Sequence, residues 1–292
     1  MKNIFDSNIL STDKNYLALR DNPKFSEYRN YCENLWKRFA PYADPDFPLE
    51  FSKQLQPRFW ELYLGCSLLD LGFSIIPKSS SKGPDFHIVL DGRNIWIEAI
   101  APNNGEGPDA VPDIYEHSGF DPMPEDKIIL RFTNAITEKK KKLDAYIRSG
   151  IVSSNDIFVI ALNGGGINML MFDGPMPTVI KSVYPVGDEV VTVDVVSRKV
   201  ISDKYKLRFE IIKDSRKAVS TRAFINPEYI NITGILYSNV SLGTLPSKLG
   251  DDFLFIHNSI AISKLKYGWL RTGKECYKEE NQLLVMVNRT SD

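Results

Sequence analysis

Residues 58–102 read RFWELYLGCSLLDLGFSIIPKSSSKGPDFHIVLDGRNIWIEAIAP, a helix followed by three strands. Phe59, Trp60, Leu62, Tyr63, Leu64, Cys66, Leu68, Leu69 and Leu71 make the helix apolar nearly all round, so it packs inside a domain. Gln56-Pro57 starts it and Gly72 ends it. About 15 residues of helix span roughly 22 Å. The strands are predicted at Phe73–Pro77, Asp85–Leu90 and Asn94–Ile100. A loop, SSSKG, separates the first two, and the turn Asp91-Gly92 joins the last two as a hairpin. Three acids interrupt these apolar runs: Glu61 in the helix, Asp85 after Gly83-Pro84, and Glu98 after Ile95, Trp96 and Ile97. Buried carboxylates are unfavourable unless they share a partner, and a divalent cation is one such partner.

Downstream, Pro102 to Pro124 is a proline-rich connection, long enough to suggest a functional or flexible loop. Residues 126–148 then read as a helix with Phe132, Ile136, Leu143 and Tyr146 on one face. A strand follows at Ile157–Leu162, ending at Asn163-Gly164-Gly165-Gly166. A hairpin followed by a helical crossover gives a mixed sheet flanked by helices.

Upstream, Asn22-Pro23 starts a helix through Tyr28, Tyr31, Leu35 and Phe39, and Pro41 to Pro48 reads as loop. Beyond residue 166 the chain is β-rich. Strands are predicted at Ile167–Phe172, Val190–Val196, Tyr205–Ile212, Ile230–Tyr237, Phe253–His257 and Leu283–Val287. The expected organisation is a helical region at 1–50, a core at 51–165, and a β-rich extension or second subdomain at 166–292.

The chain has 292 residues, 43% hydrophobic and 25% charged, with a formal net charge of -1. That balance excludes a purely electrostatic, histone-like binder but leaves room for a local phosphate-binding surface. Cys32, Cys66 and Cys276 form neither a CxxC pair nor a disulfide framework, and Cys66 reads as a small buried hydrophobe. His87, His117 and His257 lack zinc-site spacing. No apolar run is long enough for a membrane span, and the N-terminus lacks a signal-peptide core, so the expectation is a cytoplasmic protein.

The order of helix with Glu61, strand, strand opening at Gly83-Pro84-Asp85, hairpin, strand carrying Ile97-Glu98-Ala99, helix and strand resembles the PD-(D/E)xK nuclease superfamily over about residues 55–163. The resemblance implies an α/β (α+β) restriction-endonuclease-like core. In that family the two strand acids bind Mg²⁺ (or Mn²⁺), a helix Glu completes the site, and a Lys two residues past the strand Glu orients or activates water. Asp85 and Glu98 would be the ligands and Glu61 the assistant. This chain departs from the motif at Ile100, where the family has lysine. Lys139 is the preferred substitute, because it lies three residues after Ile136 and four before Leu143, on the apolar face of its helix. Lys82 is the second candidate, and Arg131 could contact phosphate bidentately. The implied activity is metal-dependent hydrolysis of phosphodiester bonds, in DNA, for restriction, defence or repair. A homodimer would suit duplex cleavage.

The missing motif lysine keeps an alternative open, a catalytically inactive nuclease fold that binds nucleic acid or protein. Glu61 also reads as a helix carboxylate paired with Arg58, three residues earlier. The three glycines after Asn163 lack a P-loop's lysine and read as a flexible strand exit. His257, at a strand end, reads as a structural histidine. Lys78, Lys82, Arg93, Arg131 and Lys139 to Lys142 suit phosphate contact; so do Lys213, Arg216, Lys217 and Arg222, with Tyr205, Phe224 and Tyr229 nearby.

Overall fold

The computed structural model describes residues 3–78, 82–114, 122–279 and 282–289. Helix α1 (Lys14–Asp21) begins at Asp13, whose carboxylate accepts from the backbone N–H groups of Asn15 and Tyr16 and so satisfies two orphan donors of the first turn. The same carboxylate accepts from Leu55 N, tying α1 to the start of the helix that opens there. Helix α2 (Ser26–Phe39) follows a 3₁₀ turn at Pro23–Phe25, and α3 (Phe47–Lys53) follows a short loop. The predicted loop to Pro48 therefore ends early, because Pro48 sits in the first turn of α3, where its missing N–H is harmless.

Helix α4 (Leu55–Asp70) is buried from Phe59 to Leu68 without a break. Each large apolar side chain buried there contributes roughly 1.5–3 kcal/mol. At Gly65 a Cβ would collide with the Phe39 ring, so glycine sets how closely α2 and α4 approach. Gly72 has φ +82, Phe73 N donates to Leu68 O, and Gly72 N donates to Leu69 O. This is a Schellman motif, and it closes the helix at the expected residue.

Strands β1 (Phe86–Leu90) and β2 (Arg93–Ile100) form an antiparallel hairpin. Asp91 and Gly92 both have positive φ, 50° and 73°, as the tight turn requires. Helix α5 (Glu125–Arg148) crosses over to β3 (Ile157–Asn163), which runs parallel to β2. All seven β3 residues are buried because both sheet faces are covered. Ile157, Val159 and Ala161 pack with α4, while Phe158, Ile160 and Leu162 pack with α5.

After the short helix α6 (Thr178–Lys181) come two hairpins, β4 (Val186–Val193) with β5 (Val200–Leu207), and β6 (Glu210–Ile212) with β7 (Ala218–Ser220). Strands β8 (Gly234–Ser238), β9 (Leu254–His257), β10 (Lys274–Glu279) and β11 (Gln282–Asn288) then extend the first sheet. The result is a mixed α/β fold with a seven-stranded sheet, order β1-β2-β3-β8-β9-β10-β11, flanked by helices. The C-terminal strands thus continue the sheet that holds Asp85 and Glu98.

Several strand expectations need correction: Ile230–Tyr237 is strand only from Gly234, and Val190–Val196 begins earlier, at Val186, and ends at Val193. Phe73–Pro77 makes only one bridge, Ile75 to Ile88, since Pro77 closes the segment before a ladder can form. Ile167–Phe172 instead holds a 3₁₀ turn at Asn168–Phe172, with Ile167, Met169 and Leu170 buried and Leu170 N bonded to Ile167 O. Tyr205–Ile212 is split between β5, which pairs with β4, and β6, which pairs with β7. Strand β10 escaped prediction because its sequence, KECYKE, is mostly charged. His117 and the segment 115–121, within the long connection, lie outside the described residues, as do the three serines 79–81. Among the described residues, no helix is long and apolar enough to cross a membrane.

Candidate active site

Pairing of Phe86 with Ile97 places Asp85, just ahead of β1, beside Glu98 on β2. Asp85 Oδ2 accepts from the backbone N–H of Ala99 at 2.7 Å, which pins the aspartate across the strand pair. Glu98 shares the face of Trp96 and Ile100, the face that α5 covers. Glu61 comes from α4, on the other face. The acids therefore approach one end of β2 from two layers.

Glu98 is 2% exposed and heavily bonded. Its Oε1 accepts from Lys139 Nζ at 2.9 Å and Lys142 Nζ at 3.0 Å, and its Oε2 from the Tyr146 hydroxyl at 3.3 Å. These three donors occupy one stripe of α5, at spacings of three and four residues. Tyr146 also donates to Gly83 O at 3.2 Å, joining α5 to the Gly83-Pro84-Asp85 turn. Glu98 holds the Lys142 ammonium above its ordinary range, despite burial. Burial, then the Glu98 charge, raises the Tyr146 phenol.

Asp85 is pushed up to about 7, chiefly by burial and then by the charges of Glu98 and Glu61, while Lys139 and Lys78 pull it back. Lys78 Nζ stands 4.0 Å from Asp85 Oδ1 and 2.9 Å from Asp44 Oδ2. Burial draws the Lys78 ammonium down, but its hydrogen bond to Asp44 and the charge of Asp85 leave it raised. Glu61 is 4% exposed, and Arg58 Nη1 donates to its Oε2 at 2.6 Å. Burial raises the Glu61 carboxyl against the opposing pull of Arg58 and Lys78. Arg58 Nε is buried without a hydrogen-bond partner.

The structure thus sets Lys139 directly on Glu98, and Asp85 beside them. Glu61 adopts the pairing with Arg58 that its spacing allowed. Lys82 is exposed. Arg131 lies eight residues before Lys139, about 12 Å along α5, and its Nε donates to Asn103 O at 2.8 Å. It braces the 103–105 loop. Asp44 and Tyr146 were not foreseen as site residues. Asp44 carries no motif signal, whereas Tyr146 was legible, being seven residues beyond Lys139 on the same face. The glycines after Asn163 are required by packing: a Cβ at Gly165 would strike Val240 O, and one at Gly166 would lie 2.8 Å from Pro102 O.

The acids supply only oxygen donors, the set that suits a hard divalent cation. Among the described residues, no group of three or more His, Cys, Asp or Glu side chains is gathered closely enough to hold a metal. No family model matches the chain, and no curated protein or solved structure matches it significantly.

Proposed function

We propose that this cluster of side chains hydrolyses phosphodiester bonds in DNA, with Mg²⁺ or Mn²⁺ as cofactor, on a restriction-endonuclease-like core. The observation that carries this reading is the pinning of Asp85 beside Glu98 at 2.7 Å from Ala99 N, with Lys139 on Glu98. Asp85 and Glu98 would hold the cation, and Glu61 would assist. When bound, the cation would polarise the phosphodiester and offset charge in the transition state. Lys139 takes the role of the motif lysine that Ile100 cannot fill: its ammonium sits beside Glu98, within reach of a water or a developing negative charge. Lys78 keeps a second ammonium near Asp85 and would face an incoming phosphate. Incubation of labelled duplex with either cation tests this reading, with Asp85→Ala as the control.

A second reading is favoured by one observation. Glu98 Oε1 already accepts from two lysines, which describes a satisfied structural carboxylate. In that case the chain is a nuclease-fold module that binds nucleic acid or protein without cutting. Duplex binding without cleavage in either cation would select it.

A further inference from the structure

A polar cavity lies toward the other end of the central strands from the carboxylates. Its lining includes Thr233, just before β8, and Thr233 Oγ1 accepts from Phe158 N near the start of β3. The cavity holds about 300 Å³, at the lower end of the size range of small-molecule pockets. It shares no residue with the carboxylate cluster, and the inference drawn from it does not rest on the phosphodiesterase reading.

Three features converge there. His257 is 7% exposed, and its Nε2 lies 3.4 Å from Oε1 of the buried Glu275. Its Nδ1 has no hydrogen-bond partner among the described residues, although the ring lines the cavity. Glu275 is itself fixed by two contacts from Gly268 N, at 2.8 and 2.7 Å, and by Arg289 Nε at 2.8 Å. It therefore orients the imidazole.

The second feature is cationic. Lys264, Lys266 and Lys278 line the same cavity. Lys266 makes one exposed contact with Asp91, at 3.5 Å, and the other two form no ion pair among the described residues. The third is aromatic. Tyr267 and Tyr277 stack with centroids 4.1 Å apart and planes 17° apart, and Tyr267 remains 56% exposed. The His257 ring meets Tyr267 edge-on at 4.9 Å. The polar groups of Asn258 and Ser259 are bonded internally, so the rings and ammonium groups are what the cavity presents.

A larger cavity of about 690 Å³, near the start of α5, makes no such demand. Two of its three cations, Lys181 and Arg208, are already paired with Glu125 and Asp126.

We propose that the His257 cavity binds a nucleoside phosphate, with the phosphate on His257 and the lysine rim and the base stacked on the exposed face of Tyr267. A cationic rim selects phosphate, and an exposed aromatic face accepts any base. The ligand is either a free nucleotide or the 5′-terminal nucleotide of a strand.

Isothermal titration calorimetry on the full chain tests this with adenosine 5′-monophosphate, adenosine, inorganic phosphate and the 5′-phosphorylated dinucleotide pTpT. The nucleotide is expected to bind at least tenfold more tightly than adenosine or phosphate alone. Lys264→Glu combined with Lys278→Glu, both on exposed side chains, should weaken it at least tenfold, and Asp85→Ala should leave it unchanged. Equal or tighter binding of pTpT identifies a strand terminus, and weaker binding a free nucleotide; either supports the site. Absence of nucleotide binding overturns the proposal. So does equal binding of phosphate or adenosine, or a loss that follows Asp85→Ala and not the lysines.

Discussion

Lys139 Nζ lies 2.9 Å from Glu98 Oε1, with both side chains buried, so an ammonium on α5 and a carboxylate on β2 meet inside the protein. Such a pair is stable only while both partners remain, because either charge alone is buried in low dielectric. Lys142, on the same oxygen at 3.0 Å, has a half-exposed side chain.

The two lysines should therefore differ in mutational cost. Lys139→Ala is expected to destabilise by about 3 kcal/mol, the lower end for breaking a buried pair. Lys142→Ala should cost about 1 kcal/mol or less, as for partly exposed pairs. Urea unfolding of both variants checks this; equal costs would mean that Glu98 relies on neither lysine in particular.

Asp85 makes stability depend on pH in an unusual direction. Its folded value, about 7, lies above the ordinary aspartate value of 3.8, so the folded state binds more protons between them. Its contribution is complete below the lower value and is lost as pH rises through the upper one. Asp85→Asn removes the ionisation, so its gain over wild type should grow from near zero at pH 4. By pH 8 it should reach at most about 4 kcal/mol, at about 1.36 kcal/mol per pKa unit. Denaturant unfolding at both pH values measures the difference, and a gain that shrinks with rising pH would contradict the assignment.

A divalent cation should act on the same carboxylate from the opposite side. At a hundred times its dissociation constant, a ligand of the folded state adds about 2.7 kcal/mol. Mg²⁺ or Mn²⁺ is expected to raise the melting temperature of wild type at pH 8 but not that of Asp85→Ala. The effect should fade below about pH 7, where protons compete for Asp85. Differential scanning calorimetry across that range tests it. An equal shift in both proteins would place the cation elsewhere.

Gly65 offers a test of the scaffold alone. Gly65→Ala forces a methyl group against the Phe39 ring, and overpacking of this kind costs about 1–3 kcal/mol. Unfolding experiments should show that loss. A stabilised variant would mean that the α2–α4 contact is loose.

The central architecture was legible because its signals are local. The apolar helix α4, the Asp91-Gly92 turn and the strand β3 each follow from a short stretch of residues. Lys139 could be singled out because a lysine on an apolar helical face needs an anionic neighbour. What escaped depends on distant partners. β10 is charged in sequence, and Glu275 is buried only because Gly268, Arg289 and His257 surround it. Asp44 joins the carboxylate cluster through its bond to Lys78, from a loop with no periodic signal. Arg131 looked suited to phosphate, yet the 103–105 loop turns back onto it.

The most direct test of the proposed activity is single-turnover cleavage of an end-labelled DNA duplex in Mg²⁺ and in Mn²⁺, with duplex affinity measured in parallel. Wild type is expected to cleave, Asp85→Ala to be inactive, and Lys139→Met to lose about 10²–10³-fold in rate while still binding duplex. Binding without cleavage by wild type in both cations, or cleavage by Asp85→Ala at the wild-type rate, would contradict a catalytic centre at Asp85, Glu98 and Lys139.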